Sequence, residues 1–282
     1  MKLLRVGSPF KEKPAIIDKN GIIRDISSAV TDLDPDTLNF NTIKKLNNIN
    51  FETFPKVENN VRIGPCVSKP QKFIGIGLNY FDHAKEINAS IPKEPIVFFK
   101  ANSSIIGPND DVYIPKGSLK YDWEVELGVV IGKQAKNISD DESMNHIFGY
   151  CIVNDVSERE YQLERSNGQW DKGKAFDTFG PIGPYLVTKD EIKNIQNLNL
   201  ELKLNNKIMQ SGNTDKMIFK VKKVVSYLSY FMTLMPGDIV TTGTPPGVGM
   251  GKKPQIFLKS GDVMELKIDG LGKQKQNVIT AQ

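Results

Sequence analysis

In Asp122-Trp123-Glu124-Val125-Glu126-Leu127-Gly128-Val129-Val130-Ile131-Gly132, an acidic opening runs into an apolar, β-branched stretch that ends on a glycine. The run from Leu127 to Ile131 predicts a buried strand. Side chains on a strand alternate with a period of two, so Glu124 and Glu126 point to one face. Two glutamates held side by side repel each other unless they face water or a cation lies between them. The apolar continuation takes the strand inward, which favours a divalent cation over a solvated edge. Such a cation needs at least one further oxygen ligand from another part of the chain.

Working outward, Gly149-Tyr150-Cys151-Ile152-Val153-Asn154-Asp155 is a second apolar strand that delivers a carboxylate at its C-terminal end. Asp155 is therefore the natural third ligand beside Glu124 and Glu126. Hard oxygen donors without thiolate or imidazole suit Mg²⁺, with Mn²⁺ or Ca²⁺ as alternatives. Three carboxylates and one divalent ion leave a charge of about −1 and open positions for a chelating anion and water, the parts of a Lewis-acid site.

Upstream, Lys72 to Gly77 reads as a strand that leads into Leu78-Asn79-Tyr80-Phe81-Asp82-His83-Ala84-Lys85-Glu86. The Gly75-x-Gly77 pair is not a dinucleotide fingerprint, because the third glycine would fall at Tyr80. His83 and Glu86 are three residues apart, on one face of a helical turn. A carboxylate beside an imidazole sets its tautomer and raises its basicity, as a general base requires, although an exposed surface pair has the same spacing. His146 has no such partner and reads as structural. Ile96 to Lys100 is an apolar strand whose terminal lysine either meets an anion or reaches out to water.

Downstream of Asp155, the segment from Val156 to Gln169 is expected to be helical, with Arg159 and Gln162 on one face. Lys172 to Pro181 is expected to be a rigid loop carrying Lys172 and Lys174. A strand pair is expected around Asn205-Asn206, and an amphipathic helix from Val221 to Met235, stopped by Pro236-Gly237. A strand from Asp238 to Thr242 enters Gly243-Thr244-Pro245-Pro246-Gly247-Val248-Gly249-Met250-Gly251. A phosphate loop would need glycine at Pro246 and Ser or Thr at Lys253, so this is a backbone-donor loop of another kind. The last strands close around Asp269-Gly270.

Residues 1–65 differ in character. They predict short strands, a hairpin at Asn20-Gly21, and helix-compatible polar segments between Asp32 and Asn48. No chemistry-bearing cluster falls there, and the expectation is a small N-terminal α/β domain, 1–65, ahead of a catalytic domain, 66–282. The 282 residues allow either one large domain or two unequal ones. Hydrophobic content of 39% and charged content of 25% are those of an ordinary soluble protein. The net charge of +4 is spread without a basic block, which argues against nucleic acid or an anionic membrane as partner. No apolar run approaches the ~18 residues of a spanning helix, and Met1 to Arg5 lacks the apolar core of a signal peptide. Cys66 and Cys151 are far apart in sequence and suit two buried thiols in a reducing compartment. A cytoplasmic protein is the expectation.

Five motifs together carry a family resemblance: Asn79-Tyr80-x-x-His83-x-x-Glu86; Glu124-Val125-Glu126; Asn154-Asp155-Val156-Ser157-x-Arg159; Lys172-Gly173-Lys174-x-Phe176-Asp177-Thr178-Phe179-Gly180-Pro181; and Thr242-Gly243-Thr244-Pro245-Pro246-Gly247-Val248-Gly249. In order and spacing they resemble the fumarylacetoacetate hydrolase family from about Lys72 to the C-terminus, with Ala175 where many members have Ser. The short N-terminal region, Asp122-Trp123-Glu124 and Gln162 to Arg165 resemble a subgroup named for ureidoglycolate lyase or 2,4-diketo-3-deoxy-sugar-acid hydrolase.

The resemblance implies an α+β, β-rich fold: a mixed β-sandwich or β-roll core with peripheral helices, assembled as a homodimer. It implies Mg²⁺ on Glu124, Glu126 and Asp155, and a small anionic 2-keto or 2,4-diketo acid as substrate, derived from a sugar acid. His83 with Glu86 would activate water on a lid segment, and Lys174 matches the family's active-site lysine. Lys100, Arg159, Gln162 and Thr244 match positions that line the pocket in relatives, and Tyr80 is a further substrate-binding candidate. The expected reaction is hydrolytic carbon–carbon cleavage through a stabilised enolate. Ureidoglycolate cleavage, oxaloacetate-type decarboxylation or isomerisation on the same site are the alternatives. A sugar-acid-binding or scaffold protein without catalysis is disfavoured by the intact His83, Glu86, Lys174 and carboxylate set.

Overall fold

The computed structural model describes residues 1–58 and 60–281. Its strands are β1 (Lys2–Val6), β2 (Lys13–Ile17), β3 (Ile23–Asp25), β4 (Phe73–Gly77), β5 (Ile96–Lys100), β6 (Ile105–Ile106), β7 (Val112–Ile114), β8 (Tyr121–Asp122) and β9 (Val125–Ile131). They continue with β10 (Ile147–Asn154), β11 (Ser157–Glu158), β12 (Gly180–Thr188), β13 (Asn199–Leu204), β14 (Lys207–Asn213), β15 (Ile239–Thr241), β16 (Val263–Ile268) and β17 (Gly272–Thr280). Helices are few and short: α1 (Phe40–Asn47), α2 (Phe81–Glu86), α3 (Asp140–Ser143), α4 (Asp171–Lys174) and α5 (Val221–Phe231).

The larger sheet has the order β3-β2-β1-β12-β10-β9-β15-β4-β5, with β6 added beside β12. β15 runs parallel to β4, while β9 and β10 pair antiparallel with Glu126 opposite Val153 and Gly128 opposite Cys151. A five-stranded sheet, β14-β13-β16-β17-β7, packs against β9, β10 and β12. This is the mixed, β-rich sandwich that the sequence motifs imply.

The period of two in β9 sorts its residues cleanly. Val125, Leu127, Val129 and Ile131 enter the core between the sheets, with Leu200, Leu202, Leu266 and Val278 facing them. Val130 points the other way, into a second core with Cys151 and Val153 of β10, closed by Leu3, Ile16, Leu33 and Leu46. Glu126 and Glu124 share that second face, nearer the N-terminal end of the strand. The N-terminal region thus covers the far part of the face on which the acidic residues lie. Its β1 hydrogen-bonds directly to β12, with Lys2 opposite Val187, so the N-terminal strands extend the large sheet.

Other local readings compare simply. The Asn20-Gly21 hairpin joins β2 to β3, and Asp18 accepts hydrogen bonds from the Asn20 and Ile22 N–H groups at 2.9 Å. The pair β13–β14 turns at Asn205-Asn206, and β16–β17 turns at Asp269-Gly270. Cys66 and Cys151 are free and buried; burial, and then each other's presence, hold the Cys66 thiol well above its ordinary value. His146 is buried, its Nδ1 2.9 Å from the Gln134 carbonyl, in a structural role.

Three expectations need correction. The amphipathic helix ends at Phe231, because Met232 turns extended and Leu234 bridges Ala135. Val156 to Gln169 is not one helix: β11 pairs with β8, and a single π-type turn follows over Glu160–Glu164, where the Arg165 N–H reaches the Glu160 carbonyl at 2.9 Å. The Glu158 carboxylate draws in the Tyr161 N–H at 2.6 Å, and Arg159 donates its own N–H to Lys120, which holds this stretch extended. Within the segment expected to be a rigid loop, Lys172 and Lys174 belong to the helical turn α4.

Candidate active site

The carboxylates meet where β9 and β10 end together. The Asp155 N–H donates to the Glu124 carbonyl at 2.9 Å, which seats Asp155 beside Glu124 across the ladder. One oxygen from each of Glu124, Glu126 and Asp155 lies within 4.8 Å of the others, and all three residues are buried. The sequence-predicted ligand triad is therefore assembled.

Its surroundings are strongly charged. Lys174 Nζ donates to Glu124 Oε2 and Asp155 Oδ2, both at 2.7 Å. Arg159 Nη2 donates to Glu124 Oε1 at 2.7 Å, its Nε to Asp122 Oδ2 at 2.8 Å, and its Nη1 to Gln162 Oε1 at 2.9 Å. Burial pushes Glu124 up, but Lys174 and Arg159 outweigh it and hold Glu124 well below the usual carboxylate range. Glu126 goes the other way: burial first, then Asp155 and Glu124, push it well above its ordinary value. Burial likewise depresses Lys174, yet Asp155 and Glu124 more than offset it and keep the ammonium charged.

The donor set fits a divalent cation on one observation. Among the described residues Glu126 is the carboxylate without a cationic hydrogen-bond partner; the Thr241 hydroxyl and the Gly243 N–H, the latter at 2.7 Å, reach it. Buried oxygens of this kind cost several kcal/mol unless a charge meets them.

His83 and Glu86 sit on α2, with His83 Nδ1 3.0 Å from Glu86 Oε2. The other oxygen of Glu86 accepts the Gly247 N–H at 2.8 Å, so the pair is latched to the loop after β15. That loop turns at Gly243, whose φ of +92° suits glycine and whose Cβ, if present, would stand 2.7 Å from Asn79 Cβ. Asn79 pins the same turn by donating to the Thr242 carbonyl at 2.8 Å. Gly173 meets a different need: a Cβ there would lie 2.3 Å from the Glu158 carbonyl, so only glycine lets α4 approach closely enough to deliver Lys174.

A cavity of about 170 Å³ opens on these groups, lined by His83, Glu124, Glu126, Arg159, Gln162, Lys174 and Thr244. Two sequence-predicted pocket residues lie behind its wall. Tyr80 is buried with an unpartnered hydroxyl, and Lys100 reaches Asp155 from behind, donating to the Val156 carbonyl at 3.4 Å.

Two groups of residues were missed by sequence reasoning. Asp122 is one: besides Arg159 it accepts the Gly249 N–H at 2.6 Å and the Met250 N–H at 3.0 Å, tying the glycine-rich loop to the carboxylate cluster. Its signal was present, since 122, 124 and 126 share one parity. The apolar lining, Phe98, Leu163 and Trp170 among it, had no such signal.

A sequence-family description, fumarylacetoacetate (FAA) hydrolase C-terminal, matches residues 72–279. The chain belongs to the fumarylacetoacetate hydrolase family. A protein of Burkholderia ambifaria that carries a hydrolase name is 56% identical over 283 residues, covering 100% of both chains. Among solved structures, fumarylacetoacetate hydrolase from Exiguobacterium antarcticum is 30% identical with a TM-score of 0.85, again over 100% of both chains. Maleylpyruvate hydrolase from Sphingobium sp. SYK-6, solved with manganese(II) and pyruvate, is 25% identical with a TM-score of 0.84 over 100% of both chains. A 5-carboxymethyl-2-hydroxymuconate delta-isomerase from Mycobacterium smegmatis is 30% identical with a TM-score of 0.79, at the same coverage. Membership makes the chain an enzyme of a family whose members are metal-dependent hydrolases and isomerases of ketonic acids. No helix of the described residues is long and apolar enough to cross a membrane.

Proposed function

We propose that this protein is a Mg²⁺-dependent hydrolase that cleaves the C3–C4 bond of a 2,4-diketo acid to give pyruvate and a second carboxylic acid. The observation that carries the reading is one small cavity shared by the carboxylate triad, by Lys174 and by the His83–Glu86 pair. Glu124, Glu126 and Asp155 would hold the ion. When bound, it would supply Lewis-acid stabilisation of charge developing at the 2-keto end of the substrate.

The chain's own groups account for the remaining chemistry. Glu86, held by the Gly247 N–H, fixes the tautomer with the proton on His83 Nδ1 and leaves Nε2 as the base. Nε2 takes a proton from water, and the hydroxide oxygen bonds to C4. The C3–C4 bond then breaks, its electron pair passing to the C2–C3 unit as an enolate. Protonation at C3 gives pyruvate, while C4 leaves as the second carboxylate. The Lys174 ammonium faces the developing enolate charge, and Arg159 sets the carboxylates against which it is held. The reading includes a homodimer, as the sequence resemblance implies, and a cytoplasmic location, as the cysteine usage suggests.

Isomerisation on the same site is the second reading, supported by the 30% identity to the delta-isomerase. Ureidoglycolate cleavage and oxaloacetate-type decarboxylation complete the set of outcomes. Incubation with a panel of 2-keto and 2,4-diketo acids and ureidoglycolate, with Mg²⁺ or Mn²⁺, separates them. Pyruvate with a second acid is the expected product pair; urea, CO₂ or an isomer of unchanged mass would each overturn it.

A further inference from the structure

Much of the cavity's lining is apolar, and this carries a statement about the part of the substrate beyond its keto-acid head. Beyond the carboxylates and His83, its wall is formed by Ile87, Ala89, Phe98, Leu163, Trp170 and Met250. Phe98 and Trp170 stand at 6.0 Å between ring centroids, tilted by 49°, and the Trp170 ring packs onto Gly77, where an added Cβ would lie 2.2 Å from it. The two rings pack on each other as one apolar wall, and Lys174 Nζ stands 5.1 Å from the centroid of the Phe98 ring.

The polar side chains that reach the cavity are already committed. Thr244 Oγ1 donates to the Val125 carbonyl at 2.9 Å and accepts the Gln210 amide at 2.7 Å. The guanidinium of Arg159 and the ammonium of Lys174 each span two carboxylates: Asp122 and Glu124 for the first, Glu124 and Asp155 for the second. Gln162 spends its carbonyl on Arg159, while its amide N–H₂ makes no hydrogen bond within the described residues. Among the described residues no uncommitted cation lines the cavity to meet a second carboxylate, and the Gln162 amide and the Trp170 indole N–H are the side-chain donors without a partner. A buried carboxylate without a partner, or a row of unpaired hydroxyls, is expensive.

We infer that the substrate is a singly charged 2-keto acid with a short, uncharged and mainly apolar tail. The tail lies against the Phe98–Trp170 wall and offers no more than one or two hydrogen-bonding groups. The room is small: 170 Å³ equals the liquid volume of about six waters. A dicarboxylic tail, or the polyhydroxylated tail of a sugar acid, fits neither the charge nor the hydrogen-bonding pattern of this wall. The inference rests on the proposed binding of a 2-keto-acid head at the carboxylate end.

The test is direct binding to the Mg²⁺-loaded protein, by calorimetry, of three six-carbon probes with the same head. These are 2-oxohexanoate, 2-oxoadipate and 3-deoxy-2-oxogluconate. The expected result is that 2-oxohexanoate binds at least about 10-fold more tightly than either of the others. Leu163 is 43% exposed, so Leu163→Arg tests the wall without emptying the core, and it should raise affinity for 2-oxoadipate by about 10-fold. Equal or tighter binding of 2-oxoadipate or 3-deoxy-2-oxogluconate by the unaltered protein overturns the inference while leaving the head site standing. Binding of none of the three overturns the head site itself, and the inference with it.

Discussion

The charged and the apolar parts of the cavity's lining are built on opposite plans. In the charged part Asp122, Glu124, Glu126 and Asp155 meet Lys100, Arg159 and Lys174 in full burial, with hydrogen bonds near 2.7 Å fixing almost every oxygen. In the apolar part, side chains from the residues after α2, from β5, from the π-type turn and from the residue before α4 form a wall with few spare hydrogen-bond donors. The first part is over-determined and selects a charged head. The second selects by exclusion, because whatever polar group enters it goes unmet. Chemistry and specificity therefore reside on different side chains, and substitutions should separate them.

The largest separation is expected from Glu126→Ala. It removes the carboxylate that no cation pairs with, so activity should vanish. Mg²⁺ affinity should fall by more than the 10–100-fold typical of an outer-sphere partner. Thermal denaturation gives a second readout: Mg²⁺ at about 100 times its Kd should stabilise the unaltered protein by about 2.7 kcal/mol and the variant hardly at all. A variant that stays active and indifferent to Mg²⁺ would remove the metal from the charged part.

Next comes His83→Ala, which should lower kcat by about 10²–10⁴-fold, the usual share of a general base, and leave Mg²⁺ affinity unchanged. Near-full turnover would show that another group takes the proton. Arg159→Met keeps much of the volume but leaves Asp122 and part of Glu124 without a counter-charge. Breaking a buried pair in this way costs about 3–5 kcal/mol, readable from urea denaturation. A loss below about 1 kcal/mol would mean that the charged part is less tightly coupled than its geometry says.

The smallest effect belongs to the apolar wall. Leu163→Ala should reduce kcat/KM for an apolar-tailed substrate by about 10-fold, within the range for trimming a hydrophobic pocket, with Mg²⁺ affinity untouched. If metal affinity moved in step with kcat/KM, the two parts would not be independent.

The same contrast explains what could be read from the sequence. Glu124, Glu126 and Asp155 announce themselves through strand periodicity and a strand-end carboxylate, and the hairpins at Asn20-Gly21 and Asn205-Asn206 through turn chemistry. The parity that pairs Glu124 with Glu126 also includes Asp122. It was passed over because a third like charge looks redundant until the Gly249 and Met250 N–H groups are seen to converge on it. Lys174 was found through its motif, but not the reason for Gly173, which lies in the close approach of α4 to β11 and the turn after it. The attachment of β1 to β12 joins residues near 2 and 187, and no local pattern encodes a pairing at that separation. Trp170, Leu163 and Phe98 are ordinary apolar residues in sequence, and only their convergence on one cavity gives them a role.

Hydrolysis in H₂¹⁸O of a 2,4-diketo monoacid such as 2,4-dioxohexanoate tests the central claim most directly. With Mg²⁺ present, pyruvate and the second acid should appear in equal amounts, with one ¹⁸O retained in the new carboxylate of the second acid. Consumption of the substrate without pyruvate, or a second acid free of ¹⁸O, would contradict hydrolytic carbon–carbon cleavage at this site.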